Sequence, residues 1–196
     1  RGVVVDGVEH ELDCLIFATG FEVGTEYARR TGFEVVGRDG LTLTDAWRGG
    51  VRTLHGLYVH GFPNLFVESI AQSGFTVNFP YLLDVQATQV AWIINWALTH
   101  GATEVEATTE AEAGWVDAVL ARSTGSVERA RSCTPGYYNR EGHATATTRQ
   151  GSFFLGGPTE YAEILQAWRD DGGLDGLDVG TRYGIVTPYT SALVTE

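Results

Sequence analysis

Residues 68–80 contain the side chains of this sequence that are best suited to hold a ligand. An apolar run ends in Gln72-Ser-Gly-Phe-Thr-Val-Asn78, and a long apolar helix is predicted to begin directly after it. The N-terminus of a helix has unpaired N–H groups and a positive dipole end, which attract a phosphate or an electron-rich ring edge. This pattern predicts a binding site for such a group. The same pattern is also typical of an ordinary capped core helix that binds no ligand.

A second candidate lies at Ala18-Thr19-Gly20, directly after the apolar residues 14–17. Small residues that follow a buried strand allow another backbone or a ligand to come close. A tight turn at the end of a strand gives the same tripeptide. The sequence therefore predicts a close approach here without specifying what approaches.

The segment 123–150 has neither helical nor strand periodicity. It is rich in turn formers and aromatic residues, as in Cys133-Thr-Pro-Gly-Tyr-Tyr-Asn139. Irregular segments of this length within a domain are usually functional loops or surface connections. The residues themselves leave both interpretations open.

No set of residues has the spacing of a catalytic or metal centre. His55 and His60 are five positions apart and would point to opposite faces of a strand, so we expect no metal pair there. The phosphate loops GxGxxG and GxxxxGK[ST], the hydrolase motif GxSxG and the zinc motif HExxH do not occur. These patterns therefore assign no catalytic side chain, and the spacing of the Asp and Glu residues neither supports nor rules out a hydrolase with paired carboxylates.

Composition disfavours several classes of partner. The 196 residues are 43% hydrophobic, which is enough for a packed core, and the formal net charge is −12. Because no run of Lys or Arg occurs, this charge argues against nucleic acid and against anionic membranes. The apolar stretch at residues 80–98 contains four polar interruptions, so it predicts a core helix and not a membrane span.

Two further features concern the setting of the chain. Cys14 and Cys133 stand far apart without a CxxC motif, which favours a reducing cytoplasm over a disulfide framework. The sequence contains no methionine and begins at Arg1, so we expect it to be a piece of a longer protein.

The elements that must position these candidates follow from turn signals and periodicity. Asp6-Gly7 between β-branched runs predicts a hairpin over residues 2–17, whose second arm becomes continuously apolar and buried. Short buried strands are predicted at 56–61, 65–71 and 152–155. A long helix is predicted over 79–98, with Asn78 as its cap, Pro80 in its first turn and apolar residues on most sides.

Two more helices complete the expected set. Thr109-Glu-Ala-Glu112 predicts a capping box at the start of a helix that ends near Arg122. Apolar residues between Tyr161 and Trp168 predict a third amphipathic helix that ends at Gly172-Gly173. Residues 174–196 are expected to be a tail with one possible strand at 183–187.

The order of several segments resembles a known family. The segments are Asp13-Cys-Leu-Ile-Phe-Ala-Thr-Gly-Phe21, Phe62-Pro-Asn-Leu-Phe66, Gln72-Ser-Gly-Phe-Thr-Val-Asn78, Thr134-Pro-Gly-Tyr-Tyr-Asn-Arg-Glu-Gly142 and Phe154-Leu-Gly-Gly157. Together they resemble the C-terminal third of class B flavoprotein monooxygenases, specifically Baeyer–Villiger monooxygenases of the cyclohexanone and phenylacetone type. The resemblance covers roughly residues 2–172.

This resemblance implies a fold and a division of the chain. The fold class is α/β, the C-terminal portion of a flavoprotein with two Rossmann-like dinucleotide-binding domains, with a β-hairpin, strands and about three helices. Residues 1–20 would end the NADPH-domain sheet, and 21–122 would belong to the FAD-binding domain. Residues 123–173 would form a mobile loop, a strand and the terminal helix, and 174–196 the tail.

The resemblance also implies two cofactors, FAD and NADPH, and the residues that contact them. Ala18, Thr19 and Gly20 would lie against bound nucleotide, and the start of the long helix would face the pyrimidine edge of the flavin, where its dipole stabilises charge on the reduced ring. The residues expected at that edge are Gln72, Ser73, Gly74, Thr76 and Asn78. The residues expected in a substrate or NADP loop are Cys133, Thr134, Pro135, Tyr137 and Tyr138.

The implied reaction is insertion of one oxygen atom from O2 into a ketone through a peroxyflavin. The partners would be a small ketone, O2 and the missing N-terminal part of the same enzyme, and the fragment alone would be inactive. Three alternatives remain. They are N- or S-oxygenation by a related flavoenzyme, a non-catalytic interaction module that uses Tyr137 and Tyr138, and a relative of the disulfide reductases, which the lack of a redox cysteine pair disfavours.

Overall fold

The computed structural model describes residues 2–18, 27–123, 150–181 and 184–185. Its helices are Tyr27–Thr31 (α1), Leu43–Ala46 (α2), Phe79–His100 (α3), Thr109–Arg122 (α4) and Gly157–Asp170 (α5). Its strands are Gly2–Val5 (β1), Val8–Glu11 (β2), Glu104–Ala107 (β3), Leu177–Thr181 (β4) and Gly184–Ile185 (β5), and a short 3-10 turn covers Arg38–Gly40. The predicted α/β class is confirmed, and α3, α4 and α5 are the three long helices expected from the sequence.

The N-terminal hairpin forms as predicted over β1 and β2. Asp6 and Gly7 both have positive φ, 50° and 79°, as the two-residue turn requires. The expected continuation of the second arm as a buried strand is wrong, because residues 12–18 are not in a strand. Ile16 is 83% exposed and Phe17 79%, since no described residue covers them.

The segment 54–67 is buried but is not the pair of strands predicted there. Isolated bridges join Leu54 to Tyr58 and Tyr58 to Phe66, and the remaining residues form turns. His55 has a φ of 57° and Gly56 one of 74°, so the backbone reverses too sharply for an extended strand. Burial was therefore predicted correctly, while the conformation was not.

Helix α3 begins and ends where the sequence indicates. The side chain of Asn78 accepts a hydrogen bond from the Tyr81 N–H, and Gly101 ends the helix in the left-handed conformation. The prediction that this helix is buried on most sides is wrong, because only one of its faces is buried. The residues of that face are Leu82, Gln86, Gln89 and Ile93. Ile94 and Leu98, on the other side, are 43% and 76% exposed. Within the described ranges, no helix has the length and apolar character needed to cross a membrane.

Helix α4 is capped one residue earlier than predicted. The Thr108 side chain, and not that of Thr109, accepts from the N–H of Ala111. Glu112 does not close a capping box, because its carboxylate accepts from the His60 N–H at 3.1 Å and pairs with Arg52 at 3.0 Å. The predicted capping box therefore identifies the helix correctly but assigns its cap to the wrong residue.

The C-terminal part of the described chain contributes to a sheet. Strand β4 pairs antiparallel with β3, with Val105 opposite Val179, and β5 pairs with β4. The possible strand predicted at 183–187 is present in part as β5, whereas the longer strand β4 at Leu177–Thr181 was not predicted. The 152–155 strand is likewise reduced to a single parallel bridge between Gly74 and Phe154.

The main core lies between α3, α4, α5 and the turns of segment 54–58. Its largest fully buried side chains include Tyr58, Tyr161, Phe154 and Leu57. Trp115 stacks on Phe154 with ring centroids 5.0 Å apart. This core lies directly beneath residues 72–74, so the loop before α3 is built on a rigid base.

Candidate functional site

Gln72 is the most constrained residue of the loop before α3. Its side chain is fully buried, and its backbone has a φ of 58°, which is uncommon for a residue with a side chain. The side-chain Nε2 donates to the carbonyl oxygens of Val51 at 2.7 Å and Gln150 at 2.8 Å. Thr53 Oγ1 donates to Gln72 Oε1. The amide of Gln72 is therefore bonded within the chain.

Ser73 and Gly74 continue this buried turn. The Ser73 hydroxyl donates to the Ser69 carbonyl at 2.6 Å, and the Ser73 carbonyl accepts from the Phe154 N–H at 2.9 Å. A Cβ atom on Gly74 would lie 2.7 Å from Cβ of Tyr161, so only glycine fits without a shift. Both residues shape the backbone that leads to α3.

Thr76 and Asn78 lie further out, at the beginning of α3. The Asn78 N–H donates to Thr76 Oγ1 at 3.1 Å, and Asn78 Oδ1 accepts from the Tyr81 N–H at 3.4 Å. Asn78 is exposed, and the first turn of the 22-residue helix contains no acidic residue. The positive end of the helix is therefore open to an electron-rich group.

Apolar side chains surround this helix start. Val77 is 97% exposed, Phe79 43% and Phe75 36%. Phe75 stacks on Phe153 with ring centroids 4.3 Å apart, which joins the loop to the segment that precedes α5. The candidate site thus combines a polar helix terminus with an exposed apolar rim.

Polar side chains are also buried in the main core. Gln89 Nε2 donates to the Tyr58 hydroxyl at 3.0 Å, and Arg169 donates to Gln89 Oε1 at 2.6 Å. The Tyr161 hydroxyl donates to the His55 carbonyl at 2.7 Å. Burial raises the pKa of the Tyr58 and Tyr161 phenols, so both remain neutral donors and acceptors at physiological pH.

His55 is buried edge-on against two indole rings. Its ring centroid lies 5.0 Å from that of Trp115 and 5.8 Å from that of Trp168. Its Nδ1 has no hydrogen-bond partner, and burial lowers the pKa of His55 to about 4. His60 is separate from it and contacts the Ala107 carbonyl through Nδ1 at 2.9 Å. In the described part of the chain, no group of His, Cys, Asp and Glu residues is arranged to hold a metal ion.

The other predicted site residues are not brought into this cluster. Ala18 is exposed at the end of the first described range, and Thr19 and Gly20 lie outside the described residues. The predicted loop residues also lie outside the described residues; they are Cys133, Thr134, Pro135, Tyr137 and Tyr138. Their assignments stay predictions.

The sequence missed the residues that hold the loop from beneath. Thr53, Trp115 and Gln150 bond to Gln72 across 19, 43 and 78 positions of the chain. Local periodicity reports only which residues are buried, and not which residues meet. The apolar face of α4 marks Trp115 as a core residue, but nothing local assigns its indole N–H to the Gln72 carbonyl.

Comparison with known proteins gives close relatives. No protein-family model matches the chain. The chain is 45% identical over 175 residues to the FAD-binding monooxygenase hmp7 of Hypomyces subiculosus. It is 43% identical over 180 residues to pentalenolactone D synthase of Streptomyces exfoliatus, and 41% identical to the Baeyer–Villiger monooxygenase ATR8 of Stachybotrys chlorohalonatus. These matches cover 89–91% of the chain but only 29–31% of each relative.

Solved structures agree with these relatives. The fold is similar to that of the polycyclic ketone monooxygenase from Thermothelomyces thermophila, with a TM-score of 0.80 at 35% identity. It is also similar to cyclohexanone monooxygenase from Rhodococcus sp. Phi1, solved with bound NADP+, with a TM-score of 0.72 at 27% identity. The matches cover 91% and 92% of this chain, and 30% and 33% of those chains. The chain is therefore similar to Baeyer–Villiger monooxygenases over about nine tenths of its own length, and it spans about 30% of the length of the relatives it matches.

Proposed function

We propose that this chain is the C-terminal part of an FAD- and NADPH-dependent monooxygenase that inserts one oxygen atom of O2 into a ketone and forms an ester or lactone. The similarity to Baeyer–Villiger monooxygenases over about nine tenths of the chain carries this proposal. The remainder of the enzyme, a small ketone and O2 are its partners. We place the enzyme in the cytoplasm, which the exposed free thiol of Cys14 supports.

The residues at the start of α3 fit the pyrimidine edge of a flavin. That edge becomes electron-rich when the ring is reduced, and a helix N-terminus without acidic residues in its first turn favours such charge. Thr76 and Asn78 present a hydroxyl and an amide at this position. The chemistry supplied by bound FAD is activation of O2 after reduction by NADPH. The contribution of this chain is to bind and orient the ring.

We assign each predicted contact a role in the complete enzyme. Thr76 and Asn78 present side chains to the flavin edge, whereas Gln72, Ser73 and Gly74 border it through their backbone, because their polar side chains bond inward. Ala18, Thr19 and Gly20 lie against nucleotide. Cys133, Thr134, Pro135, Tyr137 and Tyr138 contribute to the substrate or NADP loop.

The apolar rim suits the substrate. A ketone must be held next to the flavin edge in a site from which bulk water is excluded. Val77 and Phe79 are exposed beside the polar helix start, and Phe75 is fixed by its stack on Phe153. We assign these side chains to the wall that faces the ketone.

A charge placed at Asn78 in the complete enzyme tests the flavin-edge assignment. Asn78→Asp keeps a capping side chain but adds a negative charge, so we expect a lower reduction potential of bound flavin and slower reduction by NADPH. Asn78→Ser keeps a cap without the charge and should leave the potential close to that of the wild type. Spectroelectrochemical titration and stopped-flow reduction measure both effects.

Thr88→Asp is the matched control, because Thr88 is exposed in the middle of the same helix. If Asn78→Asp and Thr88→Asp change the potential equally, Asn78 does not face the flavin. A wild-type complete enzyme that retains no FAD would contradict the proposed function itself.

A further inference from the structure

Gln72 joins three separate backbone segments through one buried side chain. The two hydrogens on its Nε2 go to the Val51 and Gln150 carbonyls, and its Oε1 accepts from Thr53. Thr53 Oγ1 in turn accepts from the Gly56 N–H at 3.0 Å. Because both amide hydrogens are used, the side chain has no donor left for an external ligand.

The backbone of Gln72 is held as firmly as its side chain. Its N–H donates to the Ser152 carbonyl at 2.9 Å, and its carbonyl accepts from the Trp115 indole at 3.0 Å. These bonds keep the residue in the left-handed conformation, which costs about 1 kcal/mol or more for a residue with a side chain. The reversal that directs residues 73–78 toward the start of α3 therefore depends on this one position.

Glutamine is the side chain that satisfies this arrangement. A glutamate would place an oxygen against the carbonyls of Val51 and Gln150, and both contacts would become repulsive. An asparagine is shorter by one methylene group and could not reach both carbonyls. A methionine fills a similar volume but leaves the two buried carbonyl oxygens without donors.

We infer that Gln72 is a positioning residue, which sets the position of the loop at the flavin edge by anchoring it to Val51 and Gln150 and does not touch the cofactor with its side chain. The inference rests on the proposed function, since it takes the start of α3 as the flavin edge. Its effect on the reaction is geometric, because small displacements of an orienting loop change rates strongly.

The test compares two buried glutamines in the complete enzyme. Gln72→Met removes the anchor, whereas Gln89→Met removes an equally buried amide that bonds to Tyr58 and Arg169 outside the loop. We expect Gln72→Met to shift the visible spectrum of bound flavin and to lower kcat for ketone oxidation by roughly tenfold or more, with a smaller change in KM. Gln89→Met should keep the wild-type spectrum and kcat, whatever its loss of thermal stability.

Thr53→Val is a milder second variant, because it preserves side-chain shape and both bonds of Gln72 Nε2. It removes only the hydroxyl that donates to Gln72 Oε1 and accepts from the Gly56 N–H. It should change the spectrum and kcat in the same direction by a smaller factor, so the inference stays testable even if Gln72→Met does not fold. Wild-type spectra and kcat in folded Gln72→Met, or in folded Thr53→Val if the former is insoluble, would overturn the inference. A wild-type enzyme without bound FAD or ketone oxidation would contradict the proposed function instead.

Discussion

At the scale of single residues, the described structure places polar groups in its interior and bonds several of them to backbone groups. Gln72 and Ser73 bond to carbonyl oxygens, and Glu106 accepts from the Gly61 N–H at 2.9 Å. Such bonds fix loops that regular secondary structure does not hold. His55 differs, because its Nδ1 is buried without a partner.

His55 should make the chain less stable in acid. Its pKa in the folded state is about 4 because burial disfavours the charged ring, whereas its pKa in the unfolded chain is near 6.5. The unfolded state therefore binds the proton first, and stability that is fully present above pH 6.5 is lost as the pH falls toward 4. The expected loss is roughly 3 kcal/mol. Urea unfolding at several pH values measures it.

The variant His55→Asn removes the titrating ring and tolerates the left-handed backbone at this position. Its unfolding free energy should be lower at neutral pH but should fall less steeply between pH 6.5 and 4. His100→Asn, at the exposed end of α3, is the control and should keep the wild-type slope. Equal slopes for wild type and His55→Asn would contradict the assignment.

At the scale of elements, α3 is the helix on which the candidate site depends. Its buried face combines apolar and amide side chains, with Leu82 and Ile93 in the core and Gln86 and Gln89 bonded to neighbouring segments. The loop that precedes it packs closely on α5, because Gly74 lies directly against Tyr161 and Pro158. The direction of the helix start is therefore set by the element that follows the site in sequence.

Gly74→Ala should disturb this junction. The added Cβ would lie 2.7 Å from Tyr161 Cβ and 3.0 Å from Pro158 Cα, so the loop before α3 and helix α5 must move apart. Overpacking of this kind costs roughly 1–3 kcal/mol. We expect a matching loss of unfolding free energy in urea titrations, together with altered near-ultraviolet circular dichroism from the neighbouring aromatic residues.

Gly49→Ala is the matched control, because a Cβ at Gly49 meets nothing within 4 Å and its φ is not positive. It should leave the unfolding free energy within about 0.5 kcal/mol of the wild type. Equal stability of the two variants would show that the contact between Gly74 and α5 is not tight.

At the scale of the whole molecule, the chain presents surfaces that a complete enzyme would cover. The apolar residues of 12–17 are exposed, and so are Ile94 and Leu98 on one side of α3. The chain spans 29–31% of the length of its relatives, so these surfaces and the open start of α3 fit a larger protein. On the proposed function, the candidate site would be one wall of a pocket.

The isolated 196-residue chain should therefore not retain FAD. One wall buries too little of the cofactor to offset the loss of translational and rotational freedom on binding. After incubation with excess FAD and gel filtration, we expect no flavin absorbance in the protein peak. Stoichiometric retention would contradict the requirement for segments outside this chain. The complete enzyme is the positive control.

Much of the architecture is determined by the sequence itself. The Asp6-Gly7 hairpin and the caps of α3 at Asn78 and Gly101 follow from local chemistry, because turn and cap geometry depends on residues within a few positions. The helical spacing of Tyr161 and Leu165 predicts α5, and the order of short segments indicates the family.

The tertiary structure determined which distant residues these elements bring into contact. Segment 54–67 winds through turns because His55 and Gly56 reverse the backbone, and β4 forms only because β3 pairs with it. The partners of Gln72 lie up to 78 positions away, and α3 is buried on the one face that α5 and segment 54–58 cover. Local sequence reports propensity and burial, whereas contacts between distant residues arise when the chain closes around its core. The helix start at residues 72–78 was therefore visible in the sequence, and the anchoring of Gln72 was not.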